Sequence, residues 1–285
     1  MNDTEKNKVI DGTLYIVSTP IGNLLDMSER AKKVLSEVGF IAAEDTRVAS
    51  RLLSAYGISK PTVNYFEYNK EQMGEKIIER LKRGESCALV TDAGTPAISD
   101  PGGELVTLCV ENDVPVTSVP GCCAAINALT LSGLPCYRFA FEGFLSGSDG
   151  DKTKRLEELK GDTRTLVFYE APHRLKKTLA LMSKVLGGRR VALCREMTKI
   201  NEQVLHTTLT RAVEYYEENE PRGEYVLVVA GATKEEIKKD AFFADMTVRE
   251  HVEFYINSGM SKMDAMKAAA RDRGVSKGDI YKEMI

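Results

Sequence analysis

The stretch that decides the fold is Gly12-Thr-Leu-Tyr-Ile-Val-Ser18, closed by the turn Thr19-Pro20-Ile21-Gly22 and followed by Ser28 to Val38. The first run is rich in β-formers and the Pro-Gly turn ends it. In the third run Ala31, Val34, Leu35 and Val38 recur at the spacing of one helix face. The same cadence returns downstream. Phe40–Ala43 precedes Thr46–Tyr56, Thr62–Tyr65 precedes Glu71–Arg83, Ser86–Thr91 precedes Glu104–Asn112, and Val114–Val119 precedes Cys122–Leu131. Strands alternating with helices in this way predict an α/β layer on a mainly parallel sheet.

A second series starts at Tyr137-Arg-Phe-Ala-Phe141, beyond a junction at Leu134-Pro135. Its strands are expected at Arg164–Tyr169, Ala192–Arg195, Val204–Thr210 and Tyr225–Ala230, and its helices at Lys152–Leu159, His173–Leu186 and Arg211–Glu218. From Thr247 onward strand signals cease. Three capping boxes, Thr247-x-x-Glu250, Ser261-x-x-Asp264 and Ser276-x-x-Asp279, each open a short helix, and Gly259 and Gly274 close the first two. The pattern suits a helix-turn-helix module with Met263, Met266, Ala269 and Ala270 as its core stripe and Lys262, Lys267, Arg271 and Lys277 outward. The expected division is an N-terminal α/β domain over residues 1–121, a second α/β domain over 122–235 and a helical module over 236–285, with a ligand cleft between the two α/β domains.

Composition narrows the function classes. The 285 residues have a mean hydropathy of −0.24, and no run approaches the roughly 18 apolar residues of a membrane span. The N-terminal residues from Met1 to Lys6 show no cationic region followed by an apolar one. Six cysteines without C-x-x-C spacing and three scattered histidines give no metal site. The expectation is a reduced, metal-free cytoplasmic protein. A formal net charge of −3 argues against a polyanionic partner, but the mean hides a contrast. The balance is −6 over residues 1–150, +7 over 151–200, −4 over 201–235 and zero over 236–285. One basic stretch therefore lies inside an acidic chain, as either an RNA-binding surface or a solvated helix face.

The chain has no G-x-x-x-x-G-K-[ST], no G-x-G-x-x-G after its first strand and no G-x-S-x-G, so ATP, NAD and acyl-enzyme chemistry lose ground. Three Gly/Pro turns stand instead at strand ends: Ser18-Thr-Pro-Ile-Gly-Asn23, Thr91-Asp-Ala-Gly-Thr-Pro-Ala-Ile-Ser-Asp-Pro-Gly-Gly103 and Val119-Pro-Gly-Cys-Cys-Ala124. Ligands of open α/β sheets bind beyond the carboxyl ends of strands, and rigid turns there present backbone groups suited to a neutral, polar ligand.

Those turns, with Ala43-Glu-Asp-Thr-Arg47, Glu142-Gly-Phe-Leu145, Phe168-Tyr-Glu-Ala-Pro-His-Arg174 and Arg195-Glu-Met-Thr-Lys199 followed by Glu202, give the chain a family resemblance from about residue 12 to 231. It resembles the rRNA cytidine 2′-O-methyltransferase branch of the tetrapyrrole methylase family. The resemblance implies two α/β domains of the class III methyltransferase type plus a C-terminal helix-turn-helix module. It further implies S-adenosylmethionine in the cleft and methyl transfer to a ribose 2′-hydroxyl of a cytidine in the decoding region of 16S rRNA. The implied partners are 16S rRNA or the small ribosomal subunit and a second copy of the chain, with no membrane. Cofactor contacts carried over by the resemblance are Pro20, Ala93, Gly94, Thr95, Ile98, Cys123, Ala124, Glu170, Ala171 and Met197. The loop Ser146-Gly-Ser-Asp-Gly150 departs from the branch, which has Pro and basic residues there.

Methyl transfer from a sulfonium is an in-line displacement with modest help from a base. Asp45, Asp100, Glu170 and His173 are the candidates for proton acceptance or hydroxyl orientation. Three of them have a plainer reading: Asp45 as cap of the Thr46 helix, Asp100 as cap of the helix through Glu104, His173 as the start of a helix. Arg47, Arg174, Lys176, Lys177 and Lys199 are the candidates for RNA phosphate. A tetrapyrrole methylase and a non-catalytic RNA-binding assembly factor remain as alternatives.

Overall fold

The computed structural model describes residues 8–239 and 242–284, without the side chains of Lys238 and Lys239. The residues from Met1 to Lys6, read above for an export signal, lie outside the described residues. The chain divides into two compact units, one holding the chain up to Leu156 with Arg164–Ala230, the other Glu157–Thr163 with the chain from Gly231 onward.

The first unit contains two five-stranded sheets. The first sheet is formed by β1 (Leu14–Val17), β2 (Phe40–Ala43), β3 (Thr62–Asn64), β4 (Cys87–Val90) and β5 (Val116–Val119). They lie in the order β3-β2-β4-β1-β5, and every pair is parallel. Parallel strands need crossovers, and those between β1 and β5 are α1 (Glu29–Glu37), α2 (Thr46–Ala55), α3 (Lys70–Lys82) and α4 (Gly103–Glu111). Helices on both faces explain why β1, β2 and β4 are buried along their whole length. Tyr15, Val17, Ile41, Ala43, Ala88 and Val90 pack with Ala31, Val34, Leu35, Ala49 and Leu53 on one face. Their alternating neighbours Leu14, Ile16, Phe40, Ala42, Cys87 and Leu89 pack with Ile77, Ile78, Leu81, Leu105 and Cys109 on the other.

The second sheet is mixed. Its strands β6 (Phe139–Phe144), β7 (Thr165–Glu170), β8 (Arg190–Arg195), β9 (Gln203–Thr208) and β10 (Tyr225–Val229) run in the order β6-β7-β10-β8-β9. Only β6 and β7 are parallel; β10 is antiparallel to both β7 and β8, and β9 is antiparallel to β8. The link from β8 to β9, residues 196–202, holds no helix, and so short a link permits only an antiparallel neighbour. Around this sheet stand α5 (Ala124–Leu131), α6 (Asp149–Leu159), α7 (Pro172–Leu186) and α8 (Leu209–Glu218). Ala125, Ala128 and Leu129 of α5 pack on Val167, Ala192, Cys194, Val226 and Val228. The chain has thus already passed to the second sheet before α5, upstream of the Leu134-Pro135 junction.

In the second unit, α9 (Lys234–Lys239) precedes α10 (Val248–Asn257), α11 (Lys262–Arg273) and α12 (Lys277–Met284). Thr247 and Glu250 form a full capping box on α10, Ser261 caps α11, Gly274 closes α11 in the left-handed region, and Ser276 and Asp279 exchange bonds at the start of α12. Val248, Val252, Ala265, Met266, Ala269, Ala270 and Ile280 form its core. Met263 does not belong to the core stripe; it is 59% exposed in the first turn of α11, outside the cluster that holds Ala265, Met266, Ala269 and Ala270. No described helix is long and apolar enough to cross a membrane.

Candidate active site

The loops at the carboxyl ends of β1, β4, β5, β6, β7 and β8 and the start of β10 enclose a cavity of about 310 Å³ within the first unit. Its wall on the first sheet is tied together by backbone. Thr19 and Gly94 exchange N–H···O bonds of 2.8 and 3.1 Å, which needs Gly94 at φ 90. The Thr95 hydroxyl donates to the Cys122 carbonyl at 2.8 Å and lies 3.0 Å from the Ser18 hydroxyl. Gly121 is equally constrained, since a Cβ there would meet the Ser18 Cβ at 2.8 Å. Across the cavity the Tyr169 hydroxyl accepts from the Ala125 N–H at 3.1 Å.

Strain gathers in two wall loops. Ala97 and Ser99 after β4, and Glu196 and Thr198 after β8, hold φ between 50 and 71, a conformation costing side-chain-bearing residues about 1–3 kcal/mol each. Ser99 and Glu196 line the cavity.

Of the ten cofactor candidates, Ala93, Gly94, Thr95, Ile98, Cys123, Ala124, Glu170, Ala171 and Met197 line this one cavity. Pro20 does not; it is buried behind the wall and its neighbour Ile21 takes the lining position. The sequence reading missed Asp92, Ser99, Phe144, Tyr169, Glu196, Glu224 and Tyr225 among the lining residues. Asp92 stood inside a quoted turn, whereas Glu224 and Tyr225 sit at the start of a strand, where no local pattern marks them.

The four catalytic candidates fare differently. Asp45 caps α2, accepting from the Arg47 N–H at 2.8 Å and from the Arg47 guanidinium. Arg47 holds its carboxyl well below the usual range, and it is not a lining residue. His173 lies exposed in the first turn of α7 and is also not a lining residue. Glu170 lines the cavity, but its carboxylate is taken by Arg174 Nε at 2.8 Å, Thr178 Oγ1 at 2.5 Å and the Ala171 N–H at 2.9 Å. Asp100 alone faces the cavity with a perturbed acid. It does not cap the helix through Glu104, whose cap is Gly102; burial and then the Glu44 charge push it up to about 6, against the bond from Thr91. Burial and Glu44 also raise Asp92.

The lining is acidic rather than neutral. Asp92, Asp100, Glu170, Glu196 and Glu224 face one lining cation, Lys199. Lys199 Nζ reaches Glu196 at 2.9 Å and Glu224 at 3.0 Å; burial opposes its charge, and those two bonds outweigh it and raise its pKa. Arg174 answers Glu170 from behind the wall. Asp92 and Asp100 have no ion pair among the described residues. Such a wall disfavours phosphate and favours a ligand with net positive charge.

The RNA candidates are all paired. Arg47 bonds Asp45, Arg174 bonds Glu170, Lys176 bonds Glu220 at 2.6 Å, Lys177 bonds Asp149 at 2.8 Å, and Lys199 is held as above. The charge of the basic stretch is thus partly met by carboxylates that the fold brings in from its acidic flanks, Asp149, Glu220 and Glu224 among them.

The two sheets and the cavity at their strand ends define a class. The model of the tetrapyrrole (corrin/porphyrin) methylases matches residues 13–213, and the chain belongs to that family. It is a methyltransferase. Within the family it is 46% identical over 271 residues to the ribosomal RNA small subunit methyltransferase I of Bacillus subtilis (strain 168), covering 95% of this chain and 93% of that protein. The protein of the same name from Synechocystis is 41% identical over 95% of this chain and 96% of its own length. Among solved structures, the uroporphyrin-III-C-methyltransferase of Thermus thermophilus superposes with a TM-score of 0.54 at 20% identity, over 76% of this chain and 94% of that one, a likeness of fold.

Proposed function

We propose that the chain transfers the methyl group of S-adenosylmethionine to the ribose 2′-hydroxyl of a cytidine in the decoding region of 16S rRNA, in the cytoplasm and as a homodimer. The observation that carries the reading is the cavity's charge, with no ion pair to Asp92 or Asp100 among the described residues. Adenosylmethionine has an ammonium and a sulfonium against one carboxylate and no phosphate, so it suits this wall where nucleotide cofactors do not. The apolar side chains of Ile98, Ala124 and Met197 offer surface to its adenosine, and the Ala93-Gly94-Thr95 backbone lies beside them. The relatives named ribosomal RNA small subunit methyltransferase I direct the acceptor to rRNA.

Bound there, adenosylmethionine supplies an electrophilic methyl on a positively charged sulfur. The protein's task is to hold the acceptor oxygen in line and to receive its proton. Asp100, near 6, is ionised at neutral pH and is the acceptor. Glu170 is a positioning residue, since its oxygens fix α7 and the Ala171 N–H at the wall.

The test is incubation with labelled adenosylmethionine and small ribosomal subunits lacking the modification, followed by nucleoside analysis. Label on a cytidine 2′-oxygen is the expected result. Label on a tetrapyrrole instead, or RNA binding with no transfer at all, overturns the reading.

A further inference from the structure

A shallow, open groove of about 640 Å³ lies between α2 and the edge strand β3, lined by Thr46, Arg47, Ser50, Arg51 and Ser54 of α2 and by Thr62 of β3. Every lining side chain is a hydroxyl or a guanidinium. From Thr46 to Phe66 the sequence has no Asp or Glu, while Arg47, Arg51 and Lys60 fall within it. Helical spacing stacks Thr46, Ser50 and Ser54 in one row and Arg47 and Arg51 in the next. Arg51 is exposed and has no carboxylate partner among the described residues; its Nε reaches only the Arg47 carbonyl, at 3.4 Å. Arg47 is paired with Asp45, but its side chain is 87% exposed, and such a pair in water exchanges at little cost.

The groove lies beside the rim of the cavity. The hydroxyl of Thr91, next to the lining residue Asp92, donates to the Glu44 carboxylate at 2.9 Å, and Glu44 precedes Asp45, the cap of α2. The acidic wall repels phosphate, so a polynucleotide that offers one ribose to the cavity must keep its neighbouring phosphates outside it. A surface of guanidinium forks and hydroxyls next to that rim is what backbone phosphate requires. With no apolar side chain in the lining, it lacks the core of a protein-protein interface.

We propose that this groove holds the phosphodiester backbone of the RNA strand whose target nucleotide enters the cavity; the inference rests on the RNA reading above. The test uses the full chain and unmodified small ribosomal subunits, with affinity measured across a salt series. Arg51→Gln is expected to weaken binding about fivefold at low salt and to flatten the logarithmic salt dependence by about one. Ser50→Ala with Ser54→Ala is expected to weaken binding less and leave that slope unchanged. Adenosylmethionine binding by calorimetry and the melting curve stay as in the parent in both variants. If the parent methylates the subunit and Arg51→Gln keeps its affinity and slope, the groove assignment fails and the function stands. A parent that neither binds nor methylates RNA overturns both. If Arg51→Gln dissolves a dimer and leaves RNA affinity unchanged, the groove belongs to a second copy and the assignment fails.

Discussion

Arg174 Nε, in the first turn of α7, lies 2.8 Å from Glu170 Oε1 at the end of β7, joining a residue read from sequence as catalytic to one read as phosphate-binding. The Glu170 side chain is 1% exposed and that of Arg174 32%, and the guanidinium also stands 5.6 Å from the centre of the Phe144 ring. The pair fixes the wall from behind. Arg174→Ala strands a buried carboxylate, and the expected loss is about 3 kcal/mol in urea unfolding. Lys177→Ala, which removes an exposed pair with Asp149, is expected to cost well under about 1 kcal/mol. Equal losses from the two variants would show that burial of Glu170 does not govern the first.

Asp100 has opposite effects on stability and chemistry. Its folded pKa of about 6 lies above the ordinary 3.8, so the folded state holds the proton more tightly and the group's ionisation destabilises the fold as pH rises from 3.8 through 6. Asp100→Asn is therefore expected to raise stability at pH 7 by about 1 kcal/mol, after allowance for solvent screening on its open side. The same change removes the proton acceptor and is expected to lower methyl transfer about 100-fold. In the parent, the rate is expected to rise with pH through about 6 and then level. A flat profile, or an Asn variant with full activity, removes Asp100 from the chemistry.

The first sheet was legible because both its faces are covered, which writes continuous apolar runs such as Leu14–Val17 and Phe40–Ala43 into the chain. The second was legible in its elements and not in its order. Nothing near Tyr225 signals that β10 inserts between β7 and β8, because the pairing of Tyr225 with Glu170 and Arg195 is long-range. The Gly/Pro turns supplied six of the cofactor candidates that line the cavity, Ala93, Gly94, Thr95, Ile98, Cys123 and Ala124, and the resemblance over the blocks at the ends of β7 and β8 supplied Glu170, Ala171 and Met197. The cavity's charge escaped the reading, since Asp92, Glu196 and Glu224 come from three separate loops and each alone reads as a surface carboxylate. Counting charge by segment omits pairing for the same reason: Lys176 and Lys177 meet Glu220 and Asp149 only after folding.

That cavity charge predicts a discrimination. Adenosylmethionine carries a sulfonium that its demethylated product lacks, so removing a wall carboxylate weakens the former more. Asp92→Asn is expected to reduce adenosylmethionine affinity about tenfold and adenosylhomocysteine affinity by about twofold or less, measured by titration calorimetry. Protonation of Asp100 acts in the same direction, so the preference for the cation is expected to shrink as pH falls through about 6. Parallel losses for both ligands would mean that Asp92 shapes the site without acting through its charge.

The second unit contains its own titrating group. His251 is fully buried, stacked on Phe243 with ring centres 4.4 Å apart, and its Nδ1 accepts from Arg273 Nε at 3.1 Å. Burial and then the Arg273 charge lower its pKa, against the carboxylate of Asp272, which also accepts from the Tyr255 hydroxyl. The folded state therefore holds neutral histidine, and the unfolded state binds the extra proton first. Stability from this group is present above its ordinary value of 6.5 and is lost as pH falls below it. Melting of the full chain, followed by helical signal at pH 7.5 and 5.5, is expected to show a transition that weakens at the lower pH. His251→Gln retains an acceptor for Arg273 and cannot take up the proton, so its transition is expected to start lower and to depend less on pH. A parent and variant with the same pH dependence would place the titrating group elsewhere.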